Sequence, residues 1–555
     1  MRPIPHTKHL QAVLILAAIS SIAGYFATID DRLGDDQVHI ASVAVKRHQG
    51  ELFRNDDVLG DPNRWRFQTP AFQAMLEMLL VPTGYRDLTL PFRVMASVVV
   101  MLYLCGMYAL LYRQCRSWSV SVLVAALSTA VVNTLGWSYW GVGPLDTITP
   151  PTIVTAMAPL IVLSYLRYER QKRVMLVFAF VGLCGNLHLV TAMNLTLVLL
   201  IAYLARHRFH PRCWLTAAGC ALAALAAAAP YAGYYLHLRY AAAPSGAHVS
   251  ADVVYQAFRL GNLAVMYPDM LKSLLYWLMM VAVLLVPAAA VLCRVERFRV
   301  RDLSLWVAFA VAALAVSLVA HGLFQLVGVL RDEPPVIAFA QASNLVMLPL
   351  YVLFAQALTN LFRLARSHRH TLRWVCAAFL AAWMLPSDNL RIARHWAYEN
   401  ATSFLSDEMR PIRVQELRTR REARRELAEI ADWARQNTAI DAVFITDEAE
   451  FRMLARRSLA AAEEDVRYYY YATPWQLEEW MERIVAQRSA LTSASGLADP
   501  NAMVDFAAAL RSAGVGTATN WYAIVPVSAA PPAPGPLEAV QAGAWGQHFL
   551  LYRVQ

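Results

Sequence analysis

Long apolar segments are the feature that most constrains this chain. A helix needs about 20 mostly apolar residues to cross roughly 30 Å of hydrocarbon, and eleven stretches have this character: 10–29, 92–112, 118–137, 151–167, 174–187, 190–205, 213–235, 271–293, 304–327, 340–362 and 374–387. Because a backbone in lipid must satisfy its own hydrogen bonds, they predict an α-helical polytopic membrane bundle. Only 16% of the 555 residues are charged, whereas soluble proteins carry roughly 25%. The composition excludes a disordered or fibrous chain and a small disulfide-stapled scaffold.

Basic residues are concentrated in every second connection between these stretches. Six clusters share one side: Arg2 and Lys8; Arg113 and Arg116; Arg167, Arg170, Lys172 and Arg173; Arg206, Arg208 and Arg212; Arg294, Arg297, Arg299 and Arg301; Arg363, Arg366, Arg369 and Arg373. Because cytoplasmic loops carry the excess of Arg and Lys, we expect a cytoplasmic N-terminus and eleven crossings rather than ten. Whether the number of crossings is odd or even depends on the short stretches 174–187 and 190–205. Merging them into one span would move every later loop to the other side of the membrane.

The same rule places five regions outside the cytoplasm: 30–91, 138–150, 236–270, 328–339 and the tail from 388. The net charge of +9 is then mainly orientation charge beside anionic lipid, and no nucleic-acid surface is expected. The first stretch could instead be a cleaved signal peptide, since Ser21-Ile22-Ala23 resembles a cleavage site. Its length of about 20 residues favours a retained span.

The composition changes abruptly after residue 387. Residues 388–555 are charged and amphipathic, with strand-like runs at 442–446, 518–527 and 546–554 between helical stretches. Alternation of helix and strand predicts an exported α/β domain of about 120–150 residues, joined to the membrane domain 1–387 by a connector at 388–417. This tail has no nucleotide-binding or nucleophile-elbow motif, so we expect a lid or recognition domain rather than a second catalytic unit.

The first exported loop, 30–91, is unusually long for a connector and rich in carboxylates. It holds ten: Asp30, Asp31, Asp35, Asp36, Glu51, Asp56, Asp57, Asp61, Glu77 and Asp87. Acidic residues just past a span are often solvated loop residues. Paired carboxylates beside a membrane cavity are also what a general base or a divalent metal site requires. The run 69–80 predicts an amphipathic helix along the membrane surface.

The motifs of this loop resemble a known family. Asp30-Asp31 precedes Gly34-Asp35-Asp36-Gln37-Val38-His39, and Gly50-Glu51-Leu52-Phe53 precedes Asp56-Asp57. A later turn reads Gly185-Asn186-Leu187-His188-Leu189-Val190-Thr191, and a soluble exported tail follows the last span. In this layout the chain resembles the GT-C superfamily of polytopic membrane glycosyltransferases, which use polyprenyl-phosphate-linked sugars as donors. The family's comparable turn often reads His-Pro, whereas Leu189 follows His188 here.

The resemblance implies roles for particular residues. An early acid of the first exported loop acts as base or metal ligand in that family, and Asp36, followed by Asp35, fits best. We expect substrate contacts from His39 in the same motif, from Asp146 and from His188, although a histidine at such a turn is as often a packing residue as a pocket group. Arg259, Arg331 and Arg391 lie near span ends on the exported side, where arginine suits bidentate phosphate contact, although an arginine beside a membrane is normally an interface anchor.

These inferences predict a glycosyltransferase of a bacterial inner membrane. It moves a sugar from a polyprenyl-phosphate donor to a glycan, lipid or protein acceptor on the exported side, with inversion at the sugar carbon. One alternative is a transporter or flippase of lipid-linked sugars, although transporters usually show internal repeats and none is evident. Another is a non-catalytic assembly protein whose tail binds a partner. A divalent metal is neither required nor excluded, and the sugar, acceptor and oligomeric state stay open.

Overall fold

The computed structural model describes most of the chain. Outside it lie residues 1–5, 28–32, 131–132, 135–137, 145–147, 242, 245–248, 262–276, 280, 287–300, 332–338, 365–373, 375–377, 380–382, 385–386, 405–408, 410, 493–495, 515–519, 532–534 and 541–544. Among the described residues, seven helices are long and apolar enough to cross a membrane: His6–Phe26, Leu90–Cys115, Pro150–Tyr168, Leu189–Arg206, Pro211–Ala241, Leu303–Arg331 and Ala340–Arg363. The prediction of a helical membrane protein is confirmed.

The helices before the C-terminal tail have the following bounds: α1 His6–Ala27, α2 Asp35–His48, α3 Pro62–Trp65, α4 Pro70–Leu80, α5 Leu90–Cys115, α6 Trp118–Leu127, α7 Pro150–Tyr168, α8 Val174–Gly185, α9 Leu189–Arg206, α10 Pro211–Ala241, α11 Ala251–Leu260, α12 Leu303–Arg331 and α13 Met347–Leu364. The middle of α12, Ala315–Ala320, is π-helical. A 3₁₀ segment, Ala340–Val346, leads into α13. The predicted stretches 271–293 and 374–387 lie largely outside the described residues.

The predicted stretch 118–137 is longer than the helix found there. Helix α6 ends at Leu127, and two short paired strands follow, β1 Asn133–Thr134 and β2 Ser138–Tyr139. At this end the hydroxyls of Ser128 and Thr129 bond to carbonyls three residues earlier, at 2.7 and 2.6 Å. Such local bonds compete with the helical pattern, which explains why hydropathy alone misplaced the boundary.

One end of the bundle gathers the basic ends of several helices, and we call it the basic end. Arg206, the last residue of α9, lies 3.1 Å from Glu169 after α7 and 3.0 Å from Asp302 before α12. Arg113 in the last turn of α5 donates to the carbonyl of Leu166 at 2.9 Å. Because Glu169 precedes α8 and Arg206 ends α9, these two helices form an antiparallel hairpin, in which α8 has 12 residues and α9 has 18.

The opposite end, which we call the loop end, carries the predicted exported regions. Gln37 of α2 donates to the carbonyl of Ile148 in the second such region at 3.1 Å. Asn389 of the tail donates to the carbonyl of Gly143 at 2.9 Å. The amphipathic helix predicted at 69–80 is α4, which buries Phe72 and Leu76.

The C-terminal tail folds around a five-stranded sheet. Its elements are α14 Asp388–Ala401, α15 Ile412–Asn437, β3 Val443–Ile445, α16 Glu450–Ala455, β4 Ser458–Leu459, α17 Val466–Ala472, α18 Leu477–Leu491, α19 Pro500–Ser512, β5 Trp521–Pro526, β6 Leu537–Ala539 and β7 Phe549–Val554. The strand order is β4-β3-β5-β7-β6. The first three strands of this order are parallel, and β7 runs antiparallel to both of its neighbours.

Alternating side chains place a helical layer on each face of this sheet. Phe444 packs with Ile430 of α15 and Phe451 of α16 on one face. Val443 and Ile445 pack on the other face with helices α18 and α19, through residues such as Ala490 and Met503. A period of two along β3 therefore builds two apolar cores, as expected for a sheet covered on both faces.

Candidate active site at the loop end

The start of α2 positions the predicted base. Gly34 caps this helix, its backbone N–H donates to Oε1 of Gln37 at 3.0 Å, and Gln37 itself is buried. Asp36 points away from this anchor, with 44% of its side chain exposed, and forms an ion pair with Arg467 of α17. The carboxylate is fixed at a helix N-terminus, where the macrodipole favours its ionised form.

His39 lies one turn after Asp36 and faces the same part of the tail. It is buried, its Nδ1 lies 3.7 Å from Oδ1 of Asp465, and its ring packs edge-on against Tyr468 with the centroids 5.1 Å apart. The spacing of three residues puts Asp36 and His39 on neighbouring positions of one helix face. Two predicted site residues are thus brought together against residues 465–468.

A buried ion-pair network holds the first loop to the tail beneath this face. Arg452 of α16 donates from Nε to Asp56 at 2.7 Å and from its two terminal nitrogens to Asp465 at 2.8 and 2.7 Å. All three side chains are essentially inaccessible. Asp56 also accepts from the backbone of Leu459 at 2.9 Å. Burial raises the pKa of Asp56 and of Asp465, and the Arg452 guanidinium opposes that shift.

Asp57 organises a second set of buried contacts beside the first. Arg64 of α3 donates to Asp57 at 3.0 Å, and the hydroxyl of Tyr469 donates to the same carboxylate at 2.5 Å. Arg483 of α18 pairs with it as well. The carboxylates of Asp56 and Asp57 are therefore anchors of the interface between loop and tail, and the interpretation as solvated loop residues is wrong for this pair.

The four consecutive tyrosines of α17 occupy the centre of the junction. Tyr468 packs against Phe67 of the first loop with a centroid distance of 5.1 Å, and Tyr470 packs against Phe258 of α11 at 4.7 Å. The carbonyl of Tyr471 accepts from the hydroxyl of Tyr235 in α10 at 3.2 Å. The run had no predicted role, and it contacts the first loop, α11 and the end of α10.

The remaining predicted residues lie apart from Asp36 in the described contacts. His188 is the N-cap of α9, where its Nδ1 lies 2.7 Å from the Thr191 hydroxyl and accepts from the Thr191 backbone. Arg259 is exposed on α11 over the ring of Tyr255, and Arg331 is exposed at the end of α12. The side chains of Asp35 and Arg391 and all of Asp146 lie outside the described residues.

Sequence reasoning missed the tail residues at this site. Arg467, Asp465 and Tyr468 face α2 although more than 400 positions separate them from it along the chain. The one signal that marked this region was the tyrosine run itself, which is too apolar for an exposed segment of a charged tail.

The described residues offer few ligands for a metal ion. Among them, no group of three or more His, Cys, Asp and Glu side chains is arranged to hold one. Asp56 and Asp57, the most deeply buried carboxylates of the first loop, are bound to arginines.

Fold and contacts together define a helical membrane protein with a C-terminal sheet region docked on its first long loop. No protein-family model matches the sequence, and no curated protein matches it.

Proposed function

We propose that the chain is a membrane glycosyltransferase that moves a sugar from a polyprenyl-phosphate donor to an acceptor hydroxyl on the exported side. The observation that carries the proposal is the position and exposure of the Asp36 carboxylate. It is an accessible carboxylate at a helix N-terminus, immediately beside a tightly fixed Gln37, and it faces a guanidinium. The resemblance to the GT-C superfamily in the surrounding motif supports the same assignment.

In this proposal Asp36 acts as the general base. The acceptor oxygen attacks the anomeric carbon, its proton passes to the Asp36 carboxylate, and the carbon–oxygen bond to the donor phosphate breaks with its electron pair retained by the phosphate. A single carboxylate in this role contributes typically 10²–10⁴-fold to the rate. His39, one turn later on the same helix, is proposed to contact the substrate beside Asp36.

Arg467 is the cation best placed for the leaving phosphate. Its ion pair with Asp36 is partly exposed, with 39% of the Arg467 side chain accessible, so an arriving phosphate can compete for it. Donor binding then draws Arg467 toward the phosphate and leaves Asp36 free to accept a proton. Positive charge that is already in place where an oxyanion develops usually lowers the barrier more than any other single effect.

We infer the orientation of the chain in the membrane from the residues at the two ends of the bundle. The basic end carries the arginines of α5, α7 and α9, and Asp36 lies at the loop end with the predicted exported regions. By the positive-inside rule we propose that the basic end faces the cytoplasm and that Asp36 lies outside it. We propose a bacterial inner membrane as the location, where polyprenyl-phosphate sugars are presented on the exported leaflet.

The test uses the full chain reconstituted in lipid nanodiscs with a panel of polyprenyl-phosphate sugars and a membrane-lipid extract as acceptor. Mass spectrometry follows loss of the donor and formation of new glycosides. We expect Asp36→Asn to lower turnover at least 100-fold, as for loss of a general base. Glu51→Gln, an exposed carboxylate of the same loop, is the matched control and should leave turnover unchanged.

Three other outcomes have distinct meanings. Equal turnover in Asp36→Asn and wild type removes Asp36 from the role of base, and loss in Asp35→Asn alone transfers that role to its neighbour. Donor binding and movement across the bilayer, without any covalent change in the sugar, would replace the enzyme with the flippase alternative.

A further inference from the structure

A polar cavity lies at the basic end, remote from Asp36. It has a volume of about 360 Å³ and is open on one side. The ends of α5, α7 and α9 and the start of α12 enclose it. Its charged lining consists of Arg113, Arg167, Glu169, Arg170, Arg206 and Asp302.

The inner wall of this cavity holds unsatisfied polar atoms. Nη2 of Arg206 lies between Glu169, at 3.1 Å, and Asp302, at 3.0 Å. Nη1 of Arg206 and Oε2 of Glu169 are buried and form no hydrogen bond with any described residue. Glu169 is only 8% exposed. Buried polar atoms normally have partners, so this wall offers one donor and one acceptor to a ligand.

The outer rim of the cavity is cationic. Arg167 and Arg170 are exposed, and Arg113 uses one terminal nitrogen on the Leu166 carbonyl. Among the described residues of the lining, four guanidiniums outnumber two carboxylates, which leaves an excess of two positive charges. Burial raises the pKa of Glu169, and the Arg206 guanidinium opposes that shift. The cavity therefore favours an anionic ligand.

We propose that this cavity binds the headgroup of an anionic glycerophospholipid, with its phosphate against the arginines and a headgroup hydroxyl on Glu169. The phosphate supplies acceptors for Arg206 Nη1 and for the rim, and the hydroxyl supplies the donor that Glu169 Oε2 lacks. The volume exceeds what a single phosphate needs and suits a polar headgroup. Basic pockets between membrane helices are the usual form of such lipid sites.

The position of the cavity favours a lipid over a soluble phosphate. It lies where apolar helices end, at the depth of lipid headgroups in a bilayer. Leu176 and Leu183 on the adjoining α8 are exposed apolar side chains that acyl chains can cover. The site is independent of the proposed chemistry at Asp36, so either proposal can fail without the other.

The test measures binding of fluorescent phosphatidylglycerol and phosphatidylcholine to the purified full chain in a neutral detergent. We expect wild type to bind phosphatidylglycerol at least tenfold more tightly. The double variant Arg167→Gln/Arg170→Gln should lose about tenfold to thirtyfold of that affinity, because each cation near a lipid surface contributes a factor of several. Arg212→Gln, an exposed cation just after α9 and outside the cavity lining, should bind within twofold of wild type.

Further measurements distinguish a lipid site from general surface attraction and from a site for soluble phosphate. Glu169→Gln tests the headgroup hydroxyl with a phosphatidic acid probe, which lacks the headgroup glycerol. Loss of the carboxylate charge favours either phosphate, and we expect phosphatidylglycerol to gain less affinity than phosphatidic acid, because its hydroxyl loses a charged acceptor. Equal gains would remove Glu169 from contact with the headgroup. Equal losses in Arg212→Gln and the double variant would mean general surface attraction and overturn the proposal. Full displacement of the lipid by millimolar inorganic phosphate would also overturn it, in favour of a soluble phosphate ligand. Circular dichroism confirms that each variant is folded.

Discussion

Replacing Arg452 by methionine tests whether the tail is locked to the first loop by buried charge. Arg452 is 1% exposed and makes one bond to Asp56 at 2.7 Å and two to Asp465 at 2.8 and 2.7 Å. Methionine fills much of the same volume but removes all three bonds. Two inaccessible carboxylates then lose the cation that neutralises them.

The expected loss of stability follows from the burial of these charges. Removing one partner of a buried ion pair costs about 3–5 kcal/mol, because the other charge is stranded. Asp56 keeps its backbone donors at Val58, 3.0 Å, and Leu59, 2.9 Å, which soften the loss on that side. We therefore expect Arg452→Met to lower the free energy of unfolding by at least about 3 kcal/mol. Neutralising both acids in the same chain, with Asp56→Asn and Asp465→Asn, should recover most of it.

The assay is denaturant unfolding of the purified chain in detergent, followed by tryptophan fluorescence, with hydrogen exchange of α17 as a local readout. Arg418→Met is the matched control, since Arg418 is 49% exposed and pairs with Glu422 on the same helix. Such a surface pair is worth about 0.3–0.5 kcal/mol. The reasoning fails if Arg452→Met stays within about 1 kcal/mol of wild type, or if the triple variant is no more stable than Arg452→Met.

Two further predictions concern the packing of α8 against α10 and the hydrogen bond from Tyr469 to Asp57. A Cβ at Gly182 would lie 2.1 Å from the carbonyl oxygen of Ala224, so Gly182→Ala should destabilise the chain by about 1–3 kcal/mol in the same unfolding assay. Gly233→Ala, where a Cβ meets nothing within 4 Å, is its control; equal effects would contradict the close approach of α8 and α10. Tyr469→Phe removes the 2.5 Å bond to Asp57 and should cost about 1.5–3 kcal/mol. An unchanged midpoint of unfolding would mean that Arg64 and Arg483 alone provide the hydrogen bonds that the buried Asp57 carboxylate needs.

The helical membrane bundle was predictable because its signal is local. Length and hydropathy within one segment decide whether a helix can span a bilayer, and no distant residue is needed. The boundary after Leu127 was not predictable in this way, because Ser128 and Thr129 act through hydroxyl bonds that hydropathy ignores. The parity of 174–187 and 190–205 rests on the charge pattern and stays a prediction; the Arg206–Glu169 pair shows only that α8 and α9 are antiparallel.

The candidate site was predictable only on the side of α2. The motif around Asp36 and His39 could be identified in the sequence, but their neighbours Asp465 and Arg467 come from the other end of the chain. A single sequence contains no information on which of many arginines meets which carboxylate. The same limit explains Asp56, whose acidic loop context is equally typical of solvated residues and of buried anchors.

The tail was predicted to be a lid or a recognition domain, and its buried contacts with the first loop argue against a lid. A lid must separate from the surface that it covers, whereas residues 452–483 are tied to Asp56 and Asp57 by buried ion pairs. We expect this part of the tail to form a fixed wall of the site. Motion, where catalysis needs it, then falls to groups such as the half-exposed pair of Asp36 and Arg467.

The most direct measurement is the stoichiometry of the reaction on a single polyprenyl-phosphate sugar that the full chain binds. Mass spectrometry counts free polyprenyl phosphate and newly glycosylated acceptor over the same time course. The proposed function predicts that both products appear one for one with wild type and Glu51→Gln, and that both vanish together in Asp36→Asn. Intact donor recovered from the opposite leaflet, with neither product formed, would contradict the assignment of this chain as a glycosyltransferase.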